Sequence, residues 1–114
     1  WQIQDIMKNC DIDVFAGDDS QIVPVMSLGG KGVVSVYGNI DPKPVLSTYN
    51  YCLLNKYKEA SFEYFKYHDK IKELFIETNP IPVKRILSEK GLINNSEAPA
   101  APALCSFPAK VIML

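Results

Sequence analysis

Residues 12–37 have the sequence IDVFAGDDSQIVPVMSLGGKGVVSVY, which contains two strand patterns and one helix pattern. Residues 12–16 are rich in β-branched and aromatic side chains and end at Gly17, a pattern typical of a short strand. Residues 32–37 predict a second strand, whose near-continuous apolar character is typical of a parallel strand covered on both faces. Between them, residues 20–28 predict a short helix that the following glycine pair ends. Two strands separated by one helix indicate a parallel α/β sheet or barrel.

Helical patterns flank this stretch on both sides. Before it, residues 1–9 carry apolar side chains at helical spacing and predict the end of a helix. After it, residues 41–55 and 58–78 predict two helices, each with an apolar side. The apolar sides consist of Val45, Leu46, Tyr49, Cys52 and Leu53 in the first, and of Ala60, Tyr64, Tyr67, Ile71, Leu74 and Phe75 in the second. Residues 83–90 predict a third helix, which ends at Gly91.

The composition excludes several classes of protein. The chain has 114 residues, with 12 Lys+Arg against 13 Asp+Glu and 47% hydrophobic residues. Near-neutral charge argues against nucleic acid or an anionic membrane surface as the partner. No apolar run approaches the ~18 residues of a membrane span. The first residues lack the basic and apolar regions of a signal peptide, so we expect a cytoplasmic protein.

The sequence predicts neither a metal site nor a cofactor. Its three cysteines, Cys10, Cys52 and Cys105, form no C-x-x-C pair, which favours free thiols in a reducing compartment. The single histidine, His68, has no Ser or Cys partner at a local spacing, so a surface or interface histidine is favoured over a catalytic base. The Gly-Gly-Lys-Gly run precedes a strand instead of opening a helix, unlike a phosphate-binding loop.

An acidic pair, Asp18 and Asp19, directly follows the first predicted strand. In an α/β barrel, the active site is built from residues at the C-terminal ends of the strands. Gly17, the acidic pair and residues 35–39 therefore become candidates for ligand contact. The two aspartates can equally act only as caps of the short helix that follows, and the spacing alone favours capping.

Three longer runs carry a specific resemblance. They are Phe-Ala-Gly-Asp-Asp at 15–19, Leu-Gly-Gly-Lys-Gly-Val-Val-Ser-Val at 28–36, and Leu-Phe-Ile-Glu-Thr-Asn-Pro-Ile-Pro-Val-Lys at 74–84, with Asn39 and Pro42 between the last two. Their order and separations resemble those of the dihydrodipicolinate synthase family across about residues 3–93. The Asn-Pro-Ile-Pro-Val-Lys run favours this branch over the N-acetylneuraminate lyases of the wider Schiff-base pyruvate lyase family.

The resemblance implies a fold and its division into units. The fold class is α/β: the C-terminal part of a TIM (β/α)8 barrel, with residues 12–16 and 33–37 as strands 7 and 8, plus a C-terminal helical extension. Residues 1–55 then form the last βα units and residues 56–93 the helical extension. The Pro- and Ala-rich residues 94–114 depart from the family pattern and form an irregular tail. Since a TIM barrel typically needs ~250 residues, we expect a C-terminal portion of a longer protein.

The resemblance also implies an activity. Members of the family condense pyruvate with aspartate semialdehyde in lysine biosynthesis, through a Schiff base on a lysine. In the family that lysine lies at the end of strand 6, and no lysine here, including Lys31 and Lys84, occupies the matching position. The chain alone is therefore expected to be inactive. The resemblance also implies a homo-oligomer, a tetramer or a dimer, because members of the family are often homotetramers.

Three site residues follow from the resemblance. Val34 matches the branched aliphatic residue of strand 8 that lines the pyruvate pocket, partly through its backbone carbonyl. Gly17 matches the glycine at the end of strand 7 near the second substrate, and Asp18, together with Asp19, shapes that entrance. The residues alone favour a core position of the barrel for Val34.

Two alternative functions stay open. The chain is either a non-enzymatic remnant or interaction module, or a piece of a sister pyruvate-dependent aldolase such as N-acetylneuraminate lyase. A property of the isolated chain also follows from the predicted sheet. Two parallel strands leave open edges where further strands of a barrel would pair, so we expect the isolated chain to fold poorly, aggregate or oligomerise.

Overall fold

The computed structural model describes residues 1–94 and 112–113. The first half contains helix α1 (Gln2–Asn9), strand β1 (Val14–Ala16), a 3-10 helix (Asp19–Gln21), helix α2 (Ile22–Ser27) and strand β2 (Gly32–Val33). A 3-10 helix (Tyr37–Asn39) follows, and then helices α3 (Pro42–Leu53), α4 (Tyr57–Phe65), α5 (His68–Leu74) and α6 (Ile81–Glu89). Strand β3 (Ile112–Met113) is the last described element.

The sheet confirms the predicted parallel α/β arrangement. Phe15 pairs with Gly32 and Ala16 with Val33, both in parallel register. Strand β3 pairs in parallel with the other edge of β1, so the strand order is β2-β1-β3. The expectation that both outer edges of the two-stranded pair lie open is therefore wrong for β1, because β3 occupies that edge.

Strand β2 is shorter than the strand predicted over residues 32–37. Only its first two residues pair as a strand, and the chain enters a 3-10 helix at Tyr37–Asn39. The cause is the side chain of Asp19, which follows β1 by three residues. The N–H groups of Val36 and Tyr37 donate to the Asp19 carboxylate, at 2.9 and 3.1 Å, instead of continuing a ladder with a neighbouring strand.

The helix predicted over residues 58–78 is two helices, α4 and α5, joined at Lys66 and Tyr67. At this junction the N–H groups of Lys66 and Tyr67 each donate to the carbonyl three residues earlier, at 3.2 and 3.1 Å. Such three-residue steps wind the chain more tightly than an α-helix does. The Tyr67 side chain is buried there, and its hydroxyl donates to Thr48 Oγ1 at 3.0 Å.

The remaining predicted helices are confirmed as α1, α2, α3 and α6, with α6 beginning two residues earlier than predicted. Asp41 caps α3 by accepting a hydrogen bond from Lys43 N. Gly91 follows α6 with a φ of +68°, a left-handed conformation that glycine adopts without steric cost. The positions of the capping residue and of the glycine therefore mark the start of α3 and the end of α6.

One main core joins the helices. Its buried members are Ile22, Met26, Tyr37, Val45, Cys52, Ala60, Tyr64, Tyr67, Ile71, Leu74 and Val83. Three side chains of the predicted apolar sides are exposed instead: Leu46 by 57%, Leu53 by 56% and Phe75 by 44%. Helix α3 buries Thr48, so its inward face is rotated away from Leu46 and Leu53.

The predicted irregular tail, residues 94–114, falls outside the described residues except at Asn94 and β3. At β3 the structure has a strand in place of irregular backbone. Across the described part of the chain, no helix combines the length and the apolar character that crossing a membrane requires.

Candidate functional site

The predicted site residues lie at one end of the sheet. Gly17 and Asp18 follow β1 directly, and Val34 follows β2. Because the two strands run parallel, the residues that follow them lie at the same end of the sheet. The Val34 N–H donates to Ala16 O at 2.7 Å, which holds Val34 beside the residue that precedes Gly17. The structure thus brings the three residues together, and their contacts with a substrate stay predictions.

Asp18 caps the 3-10 helix. Its carboxylate accepts a hydrogen bond from Ser20 N at 2.7 Å, and its carbonyl accepts one from Gln21 N at 3.0 Å. This is the capping role that the spacing favours, since a carboxylate at this position satisfies N–H groups that the helix leaves free.

Asp19 has a different environment, because its side chain is buried, with 2% exposed. Its carboxylate accepts from the Ser35 hydroxyl and from the N–H groups of Val36 and Tyr37. Among the described residues, no Lys or Arg forms an ion pair with it. A buried carboxylate needs hydrogen-bond donors, here a hydroxyl and two backbone N–H groups, to offset the loss of water. Asp19 therefore ties the end of β1 to the turn after β2.

The turn after β2 is itself closed by hydrogen bonds. The Ser35 hydroxyl, besides donating to Asp19, accepts from Gly38 N at 2.7 Å. Asn39 Nδ2 donates to the carbonyls of Ser35 and Val36, at 3.3 and 3.1 Å. A Cβ at Gly38 would lie 3.1 Å from Ser35 Oγ, so a larger residue there would require the Ser35 side chain to shift by a few tenths of an ångström.

Three tyrosine rings, those of Tyr37, Tyr64 and Tyr67, pack together beside this turn. The Tyr37 ring stacks on Tyr67, and the Tyr64 ring meets Tyr67 edge-on at a centroid distance of 5.5 Å. Burial raises the pKa of Tyr67 to about 12, and it also raises the pKa of Tyr64, to which the charges of Asp18 and Asp19 add. Both phenols therefore stay neutral at ordinary pH.

His68 and the cysteines lie apart from the strand ends. His68 is half-buried, and its Nδ1 forms a 2.8 Å hydrogen bond with the Tyr64 hydroxyl. Cys10 is an exposed free thiol and Cys52 a buried one. Within residues 1–94 and 112–113, no cluster of three His, Cys, Asp or Glu side chains could hold a metal ion.

Sequence reasoning missed the partners of Asp19. It placed Asp19 at the entrance with Asp18, whereas the structure separates the two roles into a half-buried cap, Asp18, and a buried acceptor of three hydrogen bonds, Asp19. The presence of two adjacent aspartates was the available signal. Because one acidic residue suffices for a cap, the second indicates a further role. The Ser35 hydroxyl, sixteen residues away, had no local pattern to mark it.

Comparison with known proteins gives concordant matches. Residues 2–106 match the model of the Dihydrodipicolinate synthetase family. A 4-hydroxy-tetrahydrodipicolinate synthase of Methanococcus aeolicus is 44% identical over 86 residues, which are 75% of this chain and 30% of the relative.

Two solved structures resemble the described fold. The dihydrodipicolinate synthase of Aquifex aeolicus is 40% identical, with a TM-score of 0.76, over 79% of this chain and 31% of that one. A dihydrodipicolinate synthase of Acinetobacter baumannii, solved in complex with pyruvate, is 32% identical, with a TM-score of 0.77, over 89% of this chain and 36% of that one. The chain thus spans about a third of the length of the proteins that it matches.

Proposed function

Because the chain belongs to the dihydrodipicolinate synthetase family, we propose that it is part of a 4-hydroxy-tetrahydrodipicolinate synthase, a lyase that condenses pyruvate with aspartate semialdehyde in lysine biosynthesis. A lysine amine forms an imine with the pyruvate carbonyl and releases water. The methyl group then loses a proton to give an enamine, whose carbon attacks the aldehyde carbon. The lysine comes from outside this chain, which alone is inactive.

The proposed architecture assigns β1 and β2 to strands 7 and 8 of a (β/α)8 barrel. Residues 1–55 are the last βα units, residues 56–93 the C-terminal helical extension, and residues 94–114 the tail. The parallel pairing of β1 with β2 supports this assignment, in which strand 6 takes the edge of β1 that β3 occupies in the isolated chain. So does the position of the candidate site, since TIM-barrel active sites lie at the C-terminal ends of the strands.

Each site residue has a proposed role in the complete enzyme. Val34 lines the pyruvate pocket, partly through its backbone carbonyl, while Gly17 and Asp18 lie near the aldehyde substrate. The observation that carries this proposal is the 2.7 Å hydrogen bond from Val34 N to Ala16 O. It joins the ends of β1 and β2, so that one small region of this chain can contact both substrates.

The proposed partners are pyruvate, aspartate semialdehyde and further copies of the same subunit. The relative solved with pyruvate supports the first. A homo-oligomer, dimer or tetramer, is in keeping with the exposed aromatic side chains of Phe62 and Phe65 on α4. The complete enzyme is expected in the cytoplasm.

A hybrid enzyme tests the proposal. It joins the part of the Aquifex aeolicus enzyme that precedes the matched region to the full 114-residue chain. We expect the hybrid to condense pyruvate with aspartate semialdehyde, while the Aquifex part alone does not. Two variants, Val34→Asp in the pocket wall and Leu53→Asp at an exposed position of α3, should separate the site from the scaffold, with turnover lost only in the first. A folded hybrid without turnover would favour the non-enzymatic interaction module.

A further inference from the structure

We propose that Asp19 is a positioning residue for the pyruvate site: its buried carboxylate fixes the turn after β2 and thereby the place of Val34 in the pocket wall. This inference rests on the proposed function, in which the backbone carbonyl of Val34 contacts pyruvate. It assigns to Asp19 no contact with a substrate, because its carboxylate is occupied by hydrogen bonds inside the protein.

The Asp19 side chain binds residues that are distant from it in the sequence. Its three donors lie sixteen to eighteen residues further on, in the segment that follows Val34 without a gap. Both carboxylate oxygens are used: Oδ1 by the Ser35 hydroxyl and Oδ2 by the N–H groups of Val36 and Tyr37. Because a carboxylate is an acceptor only, its geometry suits three converging donors.

Val34 lies between two sets of hydrogen bonds. On one side its N–H is bonded to Ala16 O at 2.7 Å. On the other side, the next three residues are bonded to Asp19. The peptide group between Val34 and Ser35 therefore has little freedom to rotate, which sets the direction of the Val34 carbonyl.

The carbonyl of Val34 is not part of the hydrogen bonds that close this turn. The side-chain amide of Asn39 donates to the carbonyls of Ser35 and Val36. Among the described residues, no hydrogen bond of this turn uses the carbonyl of Val34. Preorganised polar groups of this kind contribute most when their orientation is fixed before the substrate arrives.

The test uses three variants of the hybrid enzyme. Asp19→Ala removes all three hydrogen bonds and should raise the KM for pyruvate about tenfold, with a smaller fall in kcat, as loss of about 1.4 kcal/mol of binding predicts. Asp19→Asn keeps one oxygen for Val36 and Tyr37 and can turn its amide toward Ser35, so it should restore KM to within about threefold. Val83→Ala on α6 is the control, because it destabilises the core that Tyr37 also joins but removes none of the hydrogen bonds of Asp19.

A second measurement does not depend on turnover. In the same hybrid, the backbone amides of Val36 and Tyr37 should exchange with deuterium faster in Asp19→Ala than in the parent and in Val83→Ala. If Asp19→Ala does not fold, Ser35→Ala replaces it, and it should raise the KM for pyruvate about threefold because it removes one donor to Asp19.

The outcomes separate the inference from the proposed function. Unchanged KM and unchanged amide exchange in Asp19→Ala would overturn the inference, as would an equal rise in KM in Val83→Ala. An inactive but folded parent hybrid would overturn the proposed function, while amide exchange would still decide whether Asp19 holds the turn.

Discussion

The ring of Tyr37 stacks on the ring of Tyr67, with centroids 5.1 Å apart and planes inclined by 12°. Tyr37 belongs to the turn after β2, and Tyr67 to the junction of α4 and α5. The Tyr67 hydroxyl also donates to Thr48 Oγ1 on α3. The helices after residue 55 therefore directly support the turn that follows β2, and the candidate site depends on both parts of the chain.

The Tyr67 hydroxyl should contribute measurably to stability. Tyr67→Phe keeps the stacked ring but leaves the buried Thr48 hydroxyl without this partner, so we expect the free energy of unfolding of the hybrid to fall by about 1–2 kcal/mol. Urea denaturation measures the change. The double variant Tyr67→Phe/Thr48→Val removes both polar groups and should recover part of the loss. Losses that simply add would contradict this interpretation of the bond.

Ionisation of Tyr67 predicts a loss of stability at alkaline pH. The pKa of Tyr67 is raised from 10.0 to about 12, chiefly by burial. Its neutral form therefore contributes stability that is complete below about pH 10 and is lost as the pH rises toward about 12, at up to about 1.4 kcal/mol per pH unit. The difference in unfolding free energy between the parent hybrid and Tyr67→Phe should shrink over this range. A constant difference would contradict the prediction.

Gly30 should be irreplaceable for steric reasons. A Cβ there would lie 2.4 Å from Val25 Cγ1 and 2.7 Å from Val25 O. Because one of these atoms is backbone, Gly30→Ala should destabilise the hybrid by about 3 kcal/mol. Gly91→Ala is the control: its φ is +68° but nothing lies within 4 Å of the added Cβ, so it should cost only about 1 kcal/mol. Equal costs in thermal unfolding would count against the close approach of Gly30 to Val25.

Variants of Asp18 separate capping from substrate contact. Asn is as good an N-cap as Asp, so Asp18→Asn should keep the stability of the hybrid, while Asp18→Ala should cost about 1 kcal/mol. If Asp18 lies near the aldehyde substrate, both variants should raise the KM for aspartate semialdehyde severalfold and leave the KM for pyruvate unchanged. If the KM for aspartate semialdehyde rises only in the destabilised Asp18→Ala variant, Asp18 acts as a cap and does not contact the substrate.

Local patterns predicted the order of elements well because the responsible forces are local. The glycine pair after α2, the acidic cap of α3 and Gly91 after α6 lie where the chain changes direction. The parallel pairing of the two strands followed from the strand-helix-strand order, which allows few other arrangements.

What could not be predicted depends on contacts between distant parts of the chain. The apolar residues 32–37 read as one strand, but the Asp19 carboxylate takes the N–H groups that a longer strand would use. The continuous helix predicted through Tyr67 is interrupted where Tyr67 packs against Tyr37 and Thr48. Neither partner is marked by spacing, since each lies at least nineteen residues from Tyr67.

Borohydride trapping of labelled pyruvate on the hybrid enzyme, followed by mass spectrometry of its peptides, tests directly whether the nucleophile lies outside this chain. We expect one adduct, on a lysine of the Aquifex part, and none on Lys31, Lys84 or the other lysines of this chain. Val34→Asp should reduce the adduct, while Leu53→Asp at an exposed position of α3 should not. An adduct on a lysine of this chain, or no adduct in a folded hybrid, would contradict the claim that this chain supplies the pocket wall but not the nucleophile.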